Sequence, residues 1–308
     1  MNGQISIVYY DRMRDRLMKE RIYAGPFLYW SYNTTLGRLM MDLIFRQRVF
    51  SQIYGWFHRQ KLSRHKIKVF LEKMNMNHED LIRKIEDFKS FNEFFTREID
   101  LSKRPINADP RVCIAPVDGK ILTYPKLNPD MTFQIKRNTF NLHKFLCDDK
   151  LTDKFSGGSM LISRLCLTDY HHFHFPDSGI PGQARPIQGK YHAGGPYGLR
   201  TGVPFYAENY RMLTIFDSDH FGQIGMVEIG ALTVGSIQQR YQAGIHVAKG
   251  SRKGLFELGG STVVLIFQKG RIELDEDLLI NTKREMETYV RFGDSIGRVP
   301  KRSEIGGP

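Results

Sequence analysis

Cysteine is nearly absent from this chain. Cys113, Cys147 and Cys166 are the three in 308 residues, widely spaced and odd in number. They build neither a disulfide framework nor a zinc site, and read as core or free thiols of a reducing compartment. Long apolar runs are also missing: none approaches the ~20 residues that span a bilayer. The first thirty residues alternate charged and apolar side chains, so no signal peptide is expected. Acid is scarce at one end only. Residues 1–75 hold fourteen Lys/Arg against five Asp/Glu, which is +9 of the net +12. A basic segment beside a near-neutral body calls for an anionic surface. No nucleic-acid motif accompanies it, and the aromatic and methionine content of 27–57 favours a lipid surface over nucleic acid.

What is present divides at about residue 88. Leu36, Leu39, Met40, Leu43 and Ile44 recur with helical spacing, and Phe50, Ile53, Tyr54 and Phe57 continue the stripe. A helix is predicted over 34–60, with Asn33, Thr34 or Thr35 as N-cap and Arg38, Arg46, Arg48 and Arg59 reaching water or phosphate. A second is predicted over 63–74, with Ile67, Phe70 and Leu71 inward. These helices either cap the body of the protein or dock it on a membrane.

From about 105, glycine and proline punctuate short β-rich runs: 160–167, 212–216, 225–229, 232–237 and 262–267. The class expected is α+β, a helical N-terminal segment (1–88) packed on a sheet-rich domain of mainly antiparallel strands (89–298). Residues 299–308 read as a disordered tail, and the glycine-rich loop 189–202 is a lid candidate.

The chemistry concentrates at Leu258-Gly259-Gly260-Ser261-Thr262, directly before the apolar run Val263–Phe267. Ser261 Oγ is one five-membered ring away from the carbonyl of Gly260, and glycine tolerates the backbone strain that an attack there requires. Gly-Ser also occurs at 158–159, 235–236 and 250–251, where a turn or bulge explains it. Ser261 differs in having partners of the right kind upstream. Asp118 lies in Ala115-Pro116-Val117-Asp118-Gly119-Lys120, a turn sequence. Tyr170-His171-His172-Phe173-His174-Phe175-Pro176 packs three histidines into four positions, and each imidazole nitrogen needs a partner if buried. Asp, His and Ser together supply an orienter, a base and a nucleophile.

These three motifs, in this order, resemble those of the phosphatidylserine decarboxylase family. So do Ser90–Arg97, Arg104-Pro105-Ile106 and Val227–Ile237, and the similarity runs from about 88 to about 293. The resemblance implies self-cleavage between Gly260 and Ser261, giving fragments 1–260 and 261–308 and converting Ser261 into a covalent pyruvoyl group. By it, Asp118, His174 and Ser261 form the self-processing triad and His171 is the acid/base of decarboxylation, while His172 has no assigned chemistry. The substrate would be phosphatidylserine, the product phosphatidylethanolamine, and neither a metal nor pyridoxal phosphate would be needed. The enzyme would sit peripherally on an anionic membrane, at its cytoplasmic face, with a homodimer left open. On a regular strand residues 171 and 174 point to opposite faces, so one site using both requires the segment to bend or end near Pro176. Other readings are a serine hydrolase using the same triad, which lacks a Gly-x-Ser-x-Gly elbow, a metal site at His172 and His174 without a carboxylate partner, and a lipid-binding relative that never cleaves.

Overall fold

Seven consecutive buried residues, Ser261–Phe267, form a strand filled mostly by β-branched side chains. Such a strand is stable only inside a sheet covered on both faces. The computed structural model describes residues 7–23, 25–45, 47–76, 78–128, 133–135, 138–192, 205–231, 237–258 and 261–301, and it supplies both covers. Val264 and Ile266 pack in one apolar cluster with Phe155 and Phe173. Leu265 and Phe267 pack in another with Phe175, Phe216 and Phe221. Each such side chain contributes roughly 1.5–3 kcal/mol through burial.

The strands in chain order are β1 (Val8–Asp11), β2 (Arg16–Lys19), β3 (Val112–Ile114), β4 (Gly119–Tyr124), β5 (Phe133–Ile135) and β6 (Asn138–Phe140). There follow β7 (Ser159–Leu165), β8 (His172–His174), β9 (Gly179–Pro181), β10 (Arg185–Ile187), β11 (Arg211–Ser218) and β12 (Gly222–Ile229). The last are β13 (Ile237–Gln239), β14 (Arg252–Phe256), β15 (Ser261–Phe267), β16 (Glu273–Leu274), β17 (Glu287–Val290) and β18 (Ser295–Arg298). The main sheet has the order β10-β11-β12-β15-β7-β4-β17-β1-β2, with β9 added on β11. Within it every pairing is antiparallel except β1 on β17. A smaller sheet, β13-β14-β8, carries the histidines. The α+β class and the antiparallel body agree with the sequence pattern. Residues 232–236 lie outside the described residues, and so does most of the 189–202 loop.

The N-terminal segment is helical after its first strands. Helix α1 spans Gly25–Asn33, α2 Thr35–Met40, α3 Arg48–Arg59, α4 Lys66–Met74 and α5 Phe91–Phe95. Thr34 is the cap of α2, its hydroxyl accepting from Gly37 N at 3.0 Å. The single helix expected over 34–60 is instead two, joined through a π-turn at Met41–Phe45 and an extended Gln47. Ile67 and Phe70 on α4 are buried among Phe88, Phe91, Phe94 and Phe95, as their spacing requires. None of the described helices is long and apolar enough to cross a membrane. At the other end Val299 N donates to Arg111 O at 2.8 Å, so order extends to that residue; 302–308 lie outside the described residues.

The hairpin β1–β2 is absent from a wholly helical reading of residues 1–88. It completes the edge of the main sheet, and Glu20, just beyond it, reaches a buried cluster of charge. Glu20 accepts from Arg164 Nη1 at 3.0 Å and Nη2 at 2.7 Å, while Glu287 takes Arg164 Nε and Nη2 at 3.0 and 2.8 Å. Lys120 Nζ lies 3.9 Å from Glu20 and 4.4 Å from the Tyr9 ring centre. Two carboxylates balance two cations, and removing one strands a buried positive charge. Glu20→Gln is therefore expected to cost about 3–5 kcal/mol, read as a lowered melting midpoint. An unchanged midpoint would mean that Glu287 alone suffices for Arg164.

Candidate active site

The β15 ladder places Ser261 at the sheet's end. Ser261 pairs with Leu165 of β7, Thr262 pairs with Arg164, and Arg164 pairs in turn with Lys120 of β4. Asp118 is the residue just before β4, so three adjacent strands bring the Asp118 turn and Ser261 to the same end of the sheet. Ser261 is 2% exposed, and its Oγ has no hydrogen-bond partner among the described residues. An unpaired buried hydroxyl costs about 1–3 kcal/mol, so its retention calls for an explanation. Gly259 and Gly260 lie outside the described residues.

Asp118 is buried. Its Oδ1 accepts from Phe292 N at 2.8 Å, and its Oδ2 lies 3.4 Å from Arg104 Nη2. Burial pushes its carboxyl above the ordinary value, against the opposing pull of Arg104. His174 lies close by: its backbone N donates to Pro116 O at 2.9 Å, and its ring stacks on Phe292 at 3.9 Å. Phe292 thus touches both residues, through its N–H and its ring. Among the described residues no hydrogen bond joins Asp118 to His174, or either of them to Ser261.

The partner of the His174 ring is a backbone atom. Nδ1 lies 2.9 Å from Gly250 O, and Nε2 lies 3.4 Å from the Tyr170 hydroxyl. A carbonyl only accepts, so Nδ1 carries the proton and Nε2 is the bare, basic nitrogen. Gly250 sits at φ +77°, in the left-handed region, and a Cβ there would meet Ile106 Cδ1 at 2.4 Å. The Gly250-Ser251 turn expected from sequence therefore does more than reverse the chain. Burial pushes the His174 imidazole down to about 3, so it is neutral at physiological pH.

His171 precedes β8. Its Nδ1 lies 2.8 Å from Asp169 O, which again leaves Nε2 bare, and that atom is buried with no partner. Burial, and then the nearby Arg97, hold its pKa well below the ordinary value. The strand alternation persists through the motif. Tyr170 stacks on His172 at 4.8 Å and approaches His174 at 5.8 Å, whereas His171 lies on Phe95 at 3.9 Å. The two catalytic candidates thus occupy opposite sides of their segment. His172 donates through Nε2 to Thr96 O at 3.0 Å. It also lines a polar cavity of ~610 Å³ with Arg240, Arg252, Glu98 and Glu257.

Four groups here escape a reading that seeks only titratable triads. Tyr170 and Arg97 stand inside quoted motifs and were legible as residues, though not as partners. Asp169 accepts from Cys166 N at 2.6 Å and is pushed up to about 6 by burial. The Gly250 carbonyl has no side-chain signal at all.

A family model described as phosphatidylserine decarboxylase matches residues 91–298. That span takes in Asp118, the histidine segment and the Ser261 strand. The chain belongs to the phosphatidylserine decarboxylase family. It is 40% identical over 288 residues to a phosphatidylserine decarboxylase proenzyme of Clostridium beijerinckii, covering 94% of this chain and 97% of that one. A protein of the same description from Desulfitobacterium hafniense is 38% identical over 291 residues, covering 94% and 98%. One from Ruminiclostridium cellulolyticum is 38% identical over 296 residues, covering 96% and 99%. These relatives span residues N-terminal to the family match as well, where the β1–β2 hairpin and the first helices lie. All three are described as proenzymes, a word for chains that mature by processing.

Proposed function

We propose that this protein cleaves itself between Gly260 and Ser261 and then decarboxylates phosphatidylserine to phosphatidylethanolamine, as a step of phospholipid biosynthesis. The observation that carries the reading is the buried, unpartnered Ser261 Oγ at the mouth of β15. A hydroxyl kept unpaired in a dry sheet has lost the water that would otherwise solvate and disarm it. Ser261 Oγ adds to the Gly260 carbonyl carbon, the peptide C–N bond breaks, and an ester results. Loss of the residue-261 α-proton expels the Gly260 carboxylate, and hydrolysis releases ammonia, leaving a ketone at the new N-terminus. His174 Nε2, neutral and unprotonated, is the base for the hydroxyl proton. Asp118 acts on it through Phe292 and the Pro116 turn, since the tautomer is held by Gly250 O.

The residues present suit a pyruvoyl group at position 261, because strand pairing with Leu165 fixes that position and burial excludes water. Such a group supplies the electron sink that amino-acid decarboxylation needs. His171 Nε2, bare at rest, accepts a proton from the substrate's ammonium and returns it to the carbon that has lost CO2. Electrophoresis tests the first half of the reading: a matured preparation shows two fragments, 1–260 and 261–308.

The N-terminal helices dock the enzyme on anionic lipid. Much of the stripe from α2 through the π-turn to α3 faces outward: Leu36 is 60% exposed, Leu43 64% and Ile53 60%, with Leu39 alike and Val49 and Trp56 exposed beside them, while Tyr54 packs inward. Soluble surfaces seldom gather so many apolar side chains, and here they stand in the most basic part of the chain. Each basic residue near an anionic surface is worth roughly 1 kcal/mol. Binding to phosphatidylserine vesicles should weaken as salt rises, and fall sharply in Arg38→Gln/Arg46→Gln/Arg48→Gln or in Leu39→Ser/Leu43→Ser. Turnover of soluble short-chain phosphatidylserine should change little in either variant. Flotation equal on neutral and anionic vesicles, and indifferent to salt, would leave these helices as a cap.

A further inference from the structure

Four arginines are buried among the described residues, and the fold answers three of them. Arg164 lies between Glu20 and Glu287, and Arg104 between Asp80 and Asp118. Arg211 has no carboxylate, but its Nε, Nη1 and Nη2 all donate to carbonyl oxygens. Arg97 is the exception. Nη2 donates to Thr168 O at 2.5 Å and Asp169 O at 2.9 Å, and Nη1 reaches Phe95 O at 3.4 Å. Its Nε is buried with no partner, and no described carboxylate is in ion-pair range. The Asp169 carboxyl accepts from Cys166 N and, with Asp118, acts on Arg97 only through space. A guanidinium taken out of water without a direct ion pair costs several kcal/mol, a cost that an anion brought by something else would offset. Burial lowers the Arg97 pKa to about 10, which still leaves the group charged at physiological pH.

Arg97 sits where an anionic ligand would count. The Asp169 carbonyl that receives Arg97 Nη2 also receives His171 Nδ1 at 2.8 Å, so the two side chains meet at one oxygen. Each carries an unpartnered nitrogen, Arg97 Nε and His171 Nε2. The His171 ring lies on Phe95, two residues before Arg97. Over this corner packs Leu258, buried with Phe91, Phe94 and Phe95, its N–H on Asn92 Oδ1 at 3.3 Å. Cutting after Gly260 would make Leu258 the third residue from a free chain end.

We propose that Arg97, beside His171, binds the negatively charged head of the lipid substrate through an oxyanion that supplies the ion pair the fold does not. The proposal rests on the decarboxylase reading of the site. It gives binding and proton transfer a common trigger. In the empty enzyme burial, and then the Arg97 charge, hold His171 unprotonated, and an anion on Arg97 removes the second of these when the ring must take a proton. The head carries two such groups, a carboxylate and a phosphodiester, with the same chemistry toward a guanidinium.

The test uses Arg97→Gln and Arg97→Lys in the full chain, with the cleaved fraction read on gels, melting recorded, and kinetics measured per cleaved chain on soluble short-chain phosphatidylserine. Arg97→Gln should still cut, and should raise KM about tenfold or more with a smaller change in kcat. Arg97→Lys should recover part of the loss. Glycerophosphoserine and glycerophosphoethanolamine, used as competitors, separate the two sources. If Arg97 holds the phosphodiester, both inhibit Arg97→Gln about tenfold less well than wild type; if it holds the carboxylate, only glycerophosphoserine does. An unchanged KM with unchanged inhibition overturns the proposal and leaves the decarboxylase reading intact. Failure to cut with normal melting overturns it too, by assigning Arg97 to the cleavage step. Should Arg97→Gln fail to fold, the same readings on Arg97→Lys decide, because a headgroup ligand loses affinity when the planar fork is replaced by a point charge.

Discussion

Ser261→Ala should run as one uncut chain of 308 residues, release no CO2 from phosphatidylserine, and melt at or above the wild-type temperature. The first two outcomes follow from removing the nucleophile and the precursor of the reactive group. The third follows from the fold. Ser261 Oγ is buried and bonded to nothing, so its removal orphans no partner and relieves a desolvation cost of about 1–3 kcal/mol. Alanine keeps the Cβ and the backbone ladder to Leu165 on β7. An inactive variant that had also lost stability would mean that the hydroxyl was structural. A single-chain mass from an active wild-type preparation would sink self-cleavage itself. Gain of stability with total loss of function is the signature of a group held against its own solvation for chemistry.

How much of this was legible in the sequence varied with the kind of interaction. Strands β7, β11, β12 and β15 were readable because each is a short β-rich run bounded by turn residues. Of their pairings only β11–β12 is a local hairpin; those of β15 with β12 and β7 join distant segments that no local pattern marks, and the parallel partner of β17 was no more legible. β1 is four residues long, lies far from β17 in sequence, and carries polar neighbours, so no local pattern marks Tyr9 as the partner of Glu287. The α2–α3 stripe was legible as a periodic face, but periodicity is blind to which medium that face meets. Its outward orientation is a tertiary fact. At the site, the residue types were readable from chemistry and resemblance. The atoms they touch were not, because the His174 partner is a carbonyl that any residue at position 250 would carry. Only the glycine there, required by φ +77°, hinted that the backbone was doing something unusual. Arg97 was visible inside its motif, yet its unpaired state emerges only when every neighbouring carboxylate has been placed.

The two histidines should separate by step. His174→Ala removes the base nearest the Asp118 turn and should slow cutting by about 10²–10⁴, read as persistence of the uncut chain. His171→Ala should mature, at least in part, and then fail to turn over phosphatidylserine. The geometry supports the division: the rings lie on opposite sides of residues 170–174, one against Phe292 and the other against Phe95. It also sets a pH expectation. Burial pushes His174 down to about 3, so Nε2 stays unprotonated as pH falls from 8 to 5. A base with an ordinary histidine pKa near 6.5 would lose most of its free form across that interval. The cutting rate of freshly refolded proenzyme should therefore show no inflection near 6.5 attributable to His174, and Tyr170→Phe, which removes the hydroxyl 3.4 Å from Nε2, should not create one. Asp169, beside His171 and pushed up to about 6 by burial, falls in that interval, so Asp169→Asn is the control that removes any residual step. If His174→Ala and His171→Ala both mature fully and keep activity, the roles given to them are wrong. If His174→Ala cuts normally while His171→Ala does not, the roles are exchanged, and the unpartnered Nε2 of His171 becomes the base for Ser261.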